Sequence, residues 1–149
     1  MTTRSRRLQR VGTIAGMAAA ALFVLVPNAQ ADWTWTSYIS SWTDGNTSRR
    51  WDDEAYNEIS FENCYAQYAG SSDQQVVVKR RIDVTLDYDV TVDTFTFSNC
   101  FKGNGYYSTD TQTGLDSASY YFEADKIGTG GSCCLLFTDW VGVDTTQAD

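Results

Sequence analysis

Histidine is missing from all 149 residues of the chain. That removes the Ser-His-Asp and Cys-His arrangements, the usual zinc sites and the commonest general base at neutral pH. Proline occurs once, at Pro27, so no X-Pro bond further along can slow folding by isomerisation. Positive charge is also scarce: 11 Lys and Arg stand against 19 Asp and Glu, a formal net charge of −8. Every acidic residue follows Ala31 but only seven of the basic ones do, which gives residues 32–149 a net charge of −12. Nucleic acid and anionic membrane surfaces, which need compensating cations on the protein, are therefore not expected as partners. A basic or neutral protein patch, or a polysaccharide, remains compatible.

What the chain does carry begins with an address. Arg4, Arg6, Arg7 and Arg10 precede the apolar run Val11 to Val26, and Pro27 leads into the small-residue pattern Ala29-Gln30-Ala31. This is the pattern of a secretory signal over residues 1–31 with cleavage after Ala31, and it implies a secreted, extracellular protein. Residues 32–149 then form a single domain of 118 residues, with no membrane attachment after signal cleavage.

Through that domain the hydrophobic period is two. Trp33 and Trp35 alternate with Thr34 and Thr36, which predicts an aromatic-rich N-terminal strand over 33–42. From Val76 to Val92 the even positions read Val76, Val78, Arg80, Ile82, Val84, Leu86, Tyr88, Val90 and Val92, while Asp83, Thr85, Asp87, Asp89 and Thr91 occupy odd ones. That predicts one buried and one wet face. Seventeen residues exceed one ordinary strand, so a bend near Asp87 to Asp89 or a tight turn near Asp93 is expected. The glycine-containing stretch Lys102 to Gly114 reads as a long loop, and Ala118, Tyr120, Phe122 and Ala124 as one face of a further strand. Cys133 to Val143 is apolar on both parities, which predicts a central strand covered on both sides. Only Thr47 to Ile59 offers a helical turn or two, with Thr47 or Ser48 as its cap. The expected class is all-β: an antiparallel β-sandwich or small closed barrel with two disulfides.

Four cysteines, Cys64, Cys100, Cys133 and Cys134, in an exported chain of this size imply two disulfides. A vicinal Cys133–Cys134 bond makes an eight-membered ring and is rare. If both lie on a strand, their side chains point to opposite faces, so the expectation is that they reach Cys64 and Cys100 in either order. Each bridge would close a loop of roughly 30 to 70 residues, worth about 3 to 4 kcal/mol. A short echo supports equivalent partners: Ile59 to Tyr65 (ISFENCY) aligns without gaps on Phe95 to Phe101 (FTFSNCF).

No catalytic residue, cofactor or metal site is expected. Adjacent Cys133 and Cys134 cannot readily chelate one zinc, and neither Thr43 to Ser48 nor Asp87 to Asp89 completes a calcium loop. Asp52, Asp53, Glu54, Glu58, Glu62 and Glu123 could supply paired carboxylates, but a catalytic acid also needs a pocket that raises its pKa. The positive signal is aromatic. Trp33, Trp35, Tyr38, Trp42 and Trp51 fall close together, and Tyr106 and Tyr107 lie in the expected loop. These seven are the candidate binding residues, because Trp and Tyr bury large area at low entropic cost and keep a polar handle.

The function expected is a secreted, non-catalytic binding or assembly module that attaches to a secreted or surface protein, such as an adaptor subunit of a toxin-like extracellular complex. A carbohydrate-binding module using surface Trp and Tyr is the alternative, and a secreted antimicrobial toxin or enzyme inhibitor a further one. Trp33 and Trp35 coplanar on a flat face would favour sugar, and the same residues extended away from the domain would favour assembly.

Overall fold

The computed structural model describes residues 33–146; the signal sequence expected over 1–31 lies outside the described residues. Six strands, β1 (Trp35–Trp42), β2 (Trp51–Gln67), β3 (Val76–Ile82), β4 (Val90–Phe97), β5 (Tyr107–Ile127) and β6 (Leu135–Asp144), form one antiparallel sheet in the order β1-β6-β2-β5-β3-β4. Among the described residues the helical segments are the short 3-10 turns Ser71–Asp73 and Asn99–Lys102. The all-β class read from the two-residue period therefore stands.

The two longest strands bend together. Ala55 pairs with Leu115 and Tyr56 with Thr113, so Gly114 is an extra residue on β5, held at a φ of +65° that glycine adopts without steric cost. Ala55, also left-handed at +85°, answers it on β2. β5 pairs with β2 from Tyr107 across the bend to Tyr120, and its second half, Tyr120 to Ile127, pairs with β3. The other edge of that second half is covered by the β1–β2 connection, through Gly45 N to Ala124 O (2.7 Å), Ala124 N to Asn46 O (2.9 Å) and Ser48 N to Phe122 O (2.8 Å).

Folding the sheet over brings β1 across β5. Phe122 sits at the centre, its ring centroid 5.3 Å from Phe61, 5.8 Å from Trp42 and 6.3 Å from both Trp35 and Trp51. Val76, Val78, Ile127, Leu136, Val141 and Val143 complete the core around these rings. A ring at such a centre is worth about 3 to 5 kcal/mol against alanine.

The Val76 to Val92 run divides, but the break spans the whole of residues 83–89, so Leu86 and Tyr88 leave the buried face and stand exposed, with Val90 at the strand start also exposed. Asp83 N still bonds to Ser119 O at 2.9 Å, one register step past the Ile82–Tyr120 pair, and the β3 ladder stops there. Thr47 to Ile59 forms no helix: from Trp51 it is strand, because the alternately buried Trp51 and Asp53 serve a sheet face. The Lys102 to Gly114 stretch is loop only over 103–106, and Tyr107 to Gly114 belongs to β5.

The disulfides differ most. Cys64 bonds to Cys100 and Cys133 to Cys134, with Cα–Cα distances of 5.1 and 3.7 Å, so neither Cys133 nor Cys134 crosslinks to another strand. Strand alternation does not apply to them because both precede β6, in the turn after β5, where Gly128, Gly130 and Gly131 all take left-handed φ. Cys134 is buried and Cys133 exposed. The sequence echo has a simpler meaning: its two copies pack on each other, Cys64 against Cys100 and Phe61 against Phe97 at 4.9 Å.

Candidate functional site

Six of the seven candidate aromatics divide among three places, and the seventh, Tyr106, stands exposed in the loop over 103–106 with Lys102 Nζ 5.9 Å from its ring. Trp51 is buried in the core. Trp35 and Trp42 turn inward from β1 onto Phe122, with the Arg49 guanidinium 4.2 Å above the Trp35 ring. Together with Ile39, Phe122 and the exposed Tyr38 they line a shallow pocket of about 140 Å³. Trp33 lies elsewhere, against Trp140 of β6, and Tyr107 approaches the same ring. Trp33 and Trp35 are thus neither coplanar on one surface nor extended away from the domain.

Sheet register explains the second grouping. Glu62 of β2 has Trp140 of β6 as its partner on one side and Tyr107 of β5 on the other, so the three side chains form one row across the outer face. Tyr107 and Trp140 stand 5.8 Å apart at 81°, and Trp33 meets Trp140 at 4.7 Å and 82°. Gly142 is the floor beneath the indoles: a Cβ there would lie 2.6 Å from both Trp140 Cζ2 and Trp33 Cε3. Glu62 Oε1 accepts Gly105 N at 2.9 Å, and the hydrogen bond between Tyr107 and Glu62 holds the phenol above its ordinary pKa. Further along the same strands, Asn63 Nδ2 donates to Asp139 Oδ2 at 2.5 Å, and Tyr65 faces Phe137 with centroids 6.4 Å apart.

A third feature lies at the β3–β4 connection. Tyr121 Oη donates to Asp89 Oδ2 at 2.5 Å, Val84 N donates to Asp89 Oδ1 at 3.1 Å, and Arg81 Nη2 donates to Asp89 O at 3.0 Å. Arg81 also reaches Glu123 at 2.6 Å, and Arg50 pairs with Asp83. The hydrogen bond from Tyr121 holds the Asp89 carboxyl below its usual range, while burial and the same bond push Tyr121 up to about 12. Above this clamp Leu86 is fully exposed, with a left-handed φ of +71°, and Tyr88 is 92% exposed. The bend expected near Asp87 to Asp89 falls within this break, but parity placed Leu86 and Tyr88 on the buried face.

Three of the candidate carboxylates are engaged by neighbouring side chains. Glu58 accepts Tyr56 Oη at 2.8 Å, Asp53 accepts Asn57 Nδ2 at 2.8 Å, and Glu123 is held by Arg81. Asp93 of β4 and Asp110 of β5 share one cation, the fully buried Arg80, which donates to Asp93 at 2.7 Å and to Asp110 at 3.0 Å. Arg80 Nε donates to Asn57 at 3.0 Å, which completes a tie between the two halves of the bent sheet. Of the candidate calcium segments, Asp44 accepts Ile127 N at 2.8 Å and Asp89 is the clamp just described. Among the described residues no group of three or more His, Cys, Asp or Glu is arranged to hold a metal ion. Compared with protein-family models, curated proteins and solved structures, the chain matches none.

Proposed function

We propose that the chain is an exported, non-catalytic β-sandwich module that docks onto another secreted or cell-surface protein, as an adaptor subunit does. The observation that carries this reading is the clamped loop over 83–89. Leu86 is held left-handed, at a cost of about 1 to 2 kcal/mol for an L-residue, and it returns no packing to its own domain. A firmly anchored base beneath bare Leu86 and Tyr88 limits the entropy lost on association. The flanking Asp83, Asp87 and Asp89, on a chain of net charge −8, favour an apolar cleft with a basic rim. Export is supported by the signal pattern over 1–31 and by disulfides that require an oxidising compartment. The absence of histidine and the Arg80 guanidinium spanning Asp93 and Asp110 support a non-catalytic role.

The test compares wild type with Leu86→Gly and Tyr88→Ser in culture medium of the producing cells, with quantitative mass spectrometry of what co-purifies. One partner should be lost from both variants while thermal unfolding is unchanged or, for Leu86→Gly, raised by up to about 1 kcal/mol as the left-handed penalty is relieved. Equal recovery of every co-purifying protein with both variants would reject the loop as the docking element.

A further inference from the structure

We infer that the outer face of β6, β2 and β5 is a binding site for a neutral oligosaccharide, separate from the protein-docking loop. Three aromatic rings meet in its first row, Trp33, Trp140 and Tyr107, at near-perpendicular angles that fix each ring on its neighbours. Gly142 leaves room for the indoles to lie directly on the backbone, so the row is seated in the sheet and does not project from it. Tyr65 and Phe137 form a second aromatic row. Asn63, left-handed at a φ of +49°, breaks the strand alternation, so Phe61 and Cys64 are both buried while Glu62 and Tyr65 both lie on the outer face, and the two rows stand at most about 10 Å apart along β2, the scale of two linked pyranose rings.

The groups within and between the rows decide the ligand class. Glu62 stands in the first row with one oxygen on Gly105 N, and the hydrogen-bonded Asn63 and Asp139 fill the row between. Oriented carboxylates and an amide beside aromatic rings suit a ligand with C–H faces for stacking and hydroxyls for hydrogen bonding. A protein's apolar anchor would leave the remaining acceptor positions of Glu62 and Asp139 unfilled, whereas sugar hydroxyls donate to them. Charge narrows the choice further. A surface bearing Glu62 and Asp139 on a chain with 19 acidic and 11 basic residues repels uronates, sulfated glycans and nucleic acids, but leaves a neutral glycan unaffected.

Isothermal titration and intrinsic tryptophan fluorescence of the purified chain should be run with cellohexaose, laminarihexaose, mannohexaose and chitohexaose, with oligogalacturonate as the anionic control. At least one neutral hexasaccharide should bind and quench fluorescence, and oligogalacturonate should not. Tyr107→Ala and Tyr65→Ala, both at exposed positions that leave the core intact, should each weaken binding by about tenfold, the equivalent of one aromatic contact. Glu62→Gln should weaken it less, and Tyr88→Ser not at all. The assignment is overturned if none of the four neutral hexasaccharides binds at millimolar concentration, if oligogalacturonate binds best, or if binding survives both tyrosine substitutions unchanged. None of these results bears on the loop, whose partner is read out separately.

Discussion

Asp93 lies 2.7 Å from Arg80 Nη1, an arrangement that alone would hold a carboxyl below its ordinary pKa of about 3.9. Its pKa is instead raised, first because burial disfavours the carboxylate and then because Asp110 shares the same guanidinium. Asp93 Oδ1 has no hydrogen-bond partner, so a proton placed there would be shared with Asp110 at no cost in existing bonds. A raised folded pKa fixes the sign of the pH dependence. The stability Asp93 contributes is complete below its unfolded value and is lost as pH rises through its folded value. Asp93→Asn keeps an acceptor for Arg80 and removes the charge. Urea unfolding from pH 3 to pH 8 should therefore give equal stabilities for wild type and variant at the acid end, with the variant pulling ahead as pH rises. A difference independent of pH would mean that Asp93 titrates as it does in the unfolded chain.

Among the elements, the disulfides divide the work unequally. Cys64–Cys100 closes a loop of 36 residues and joins β2 to the turn after β4, which the chain-entropy relation values at about 4 kcal/mol. Cys133–Cys134 closes no loop between elements, so opening it releases almost no chain entropy. Replacing Cys64 and Cys100 by Ser should cost about 4 kcal/mol in chemical denaturation, while Cys133→Ser with Cys134→Ala should stay within about 1 kcal/mol of wild type. Peptide mapping without reduction should join the peptides of Cys64 and Cys100. Any peptide linking Cys133 or Cys134 to either would refute this pairing. The strands themselves were legible where one side of the sheet is wet, as Val76, Val78 and Arg80 show against Val77, Lys79 and Arg81. Legibility failed where the period persisted into a turn, at Leu86 and Tyr88, and where an apolar pair lay outside the sheet, at Cys133 and Cys134. The candidate site was half visible: Trp33 and Tyr107 were named as binding residues and Glu62 only as a candidate carboxylate, and Trp140 joins them through a three-strand register that no local pattern encodes.

For the whole molecule, the bend in β2 and β5 leaves two halves of one sheet that need more than apolar contact to stay aligned. Arg80 supplies it, reaching from β3 to Asn57 on β2, Asp93 on β4 and Asp110 on β5 while fully removed from water. A guanidinium suits this position because its planar fork serves several acceptors at once, which the single point of a lysine ammonium does not. Arg80→Met fills similar volume but leaves Asp93 and Asp110 facing each other without a cation, and should cost about 3 to 5 kcal/mol in urea unfolding. If that loss comes from stranded charge, adding Asp93→Asn and Asp110→Asn should restore most of it, since no uncompensated charge then remains. If the triple variant stays as unstable as Arg80→Met, the guanidinium is needed for its geometry. Native-state hydrogen exchange would then show β3 and β4 opening well below the free energy at which β6 and β2 open.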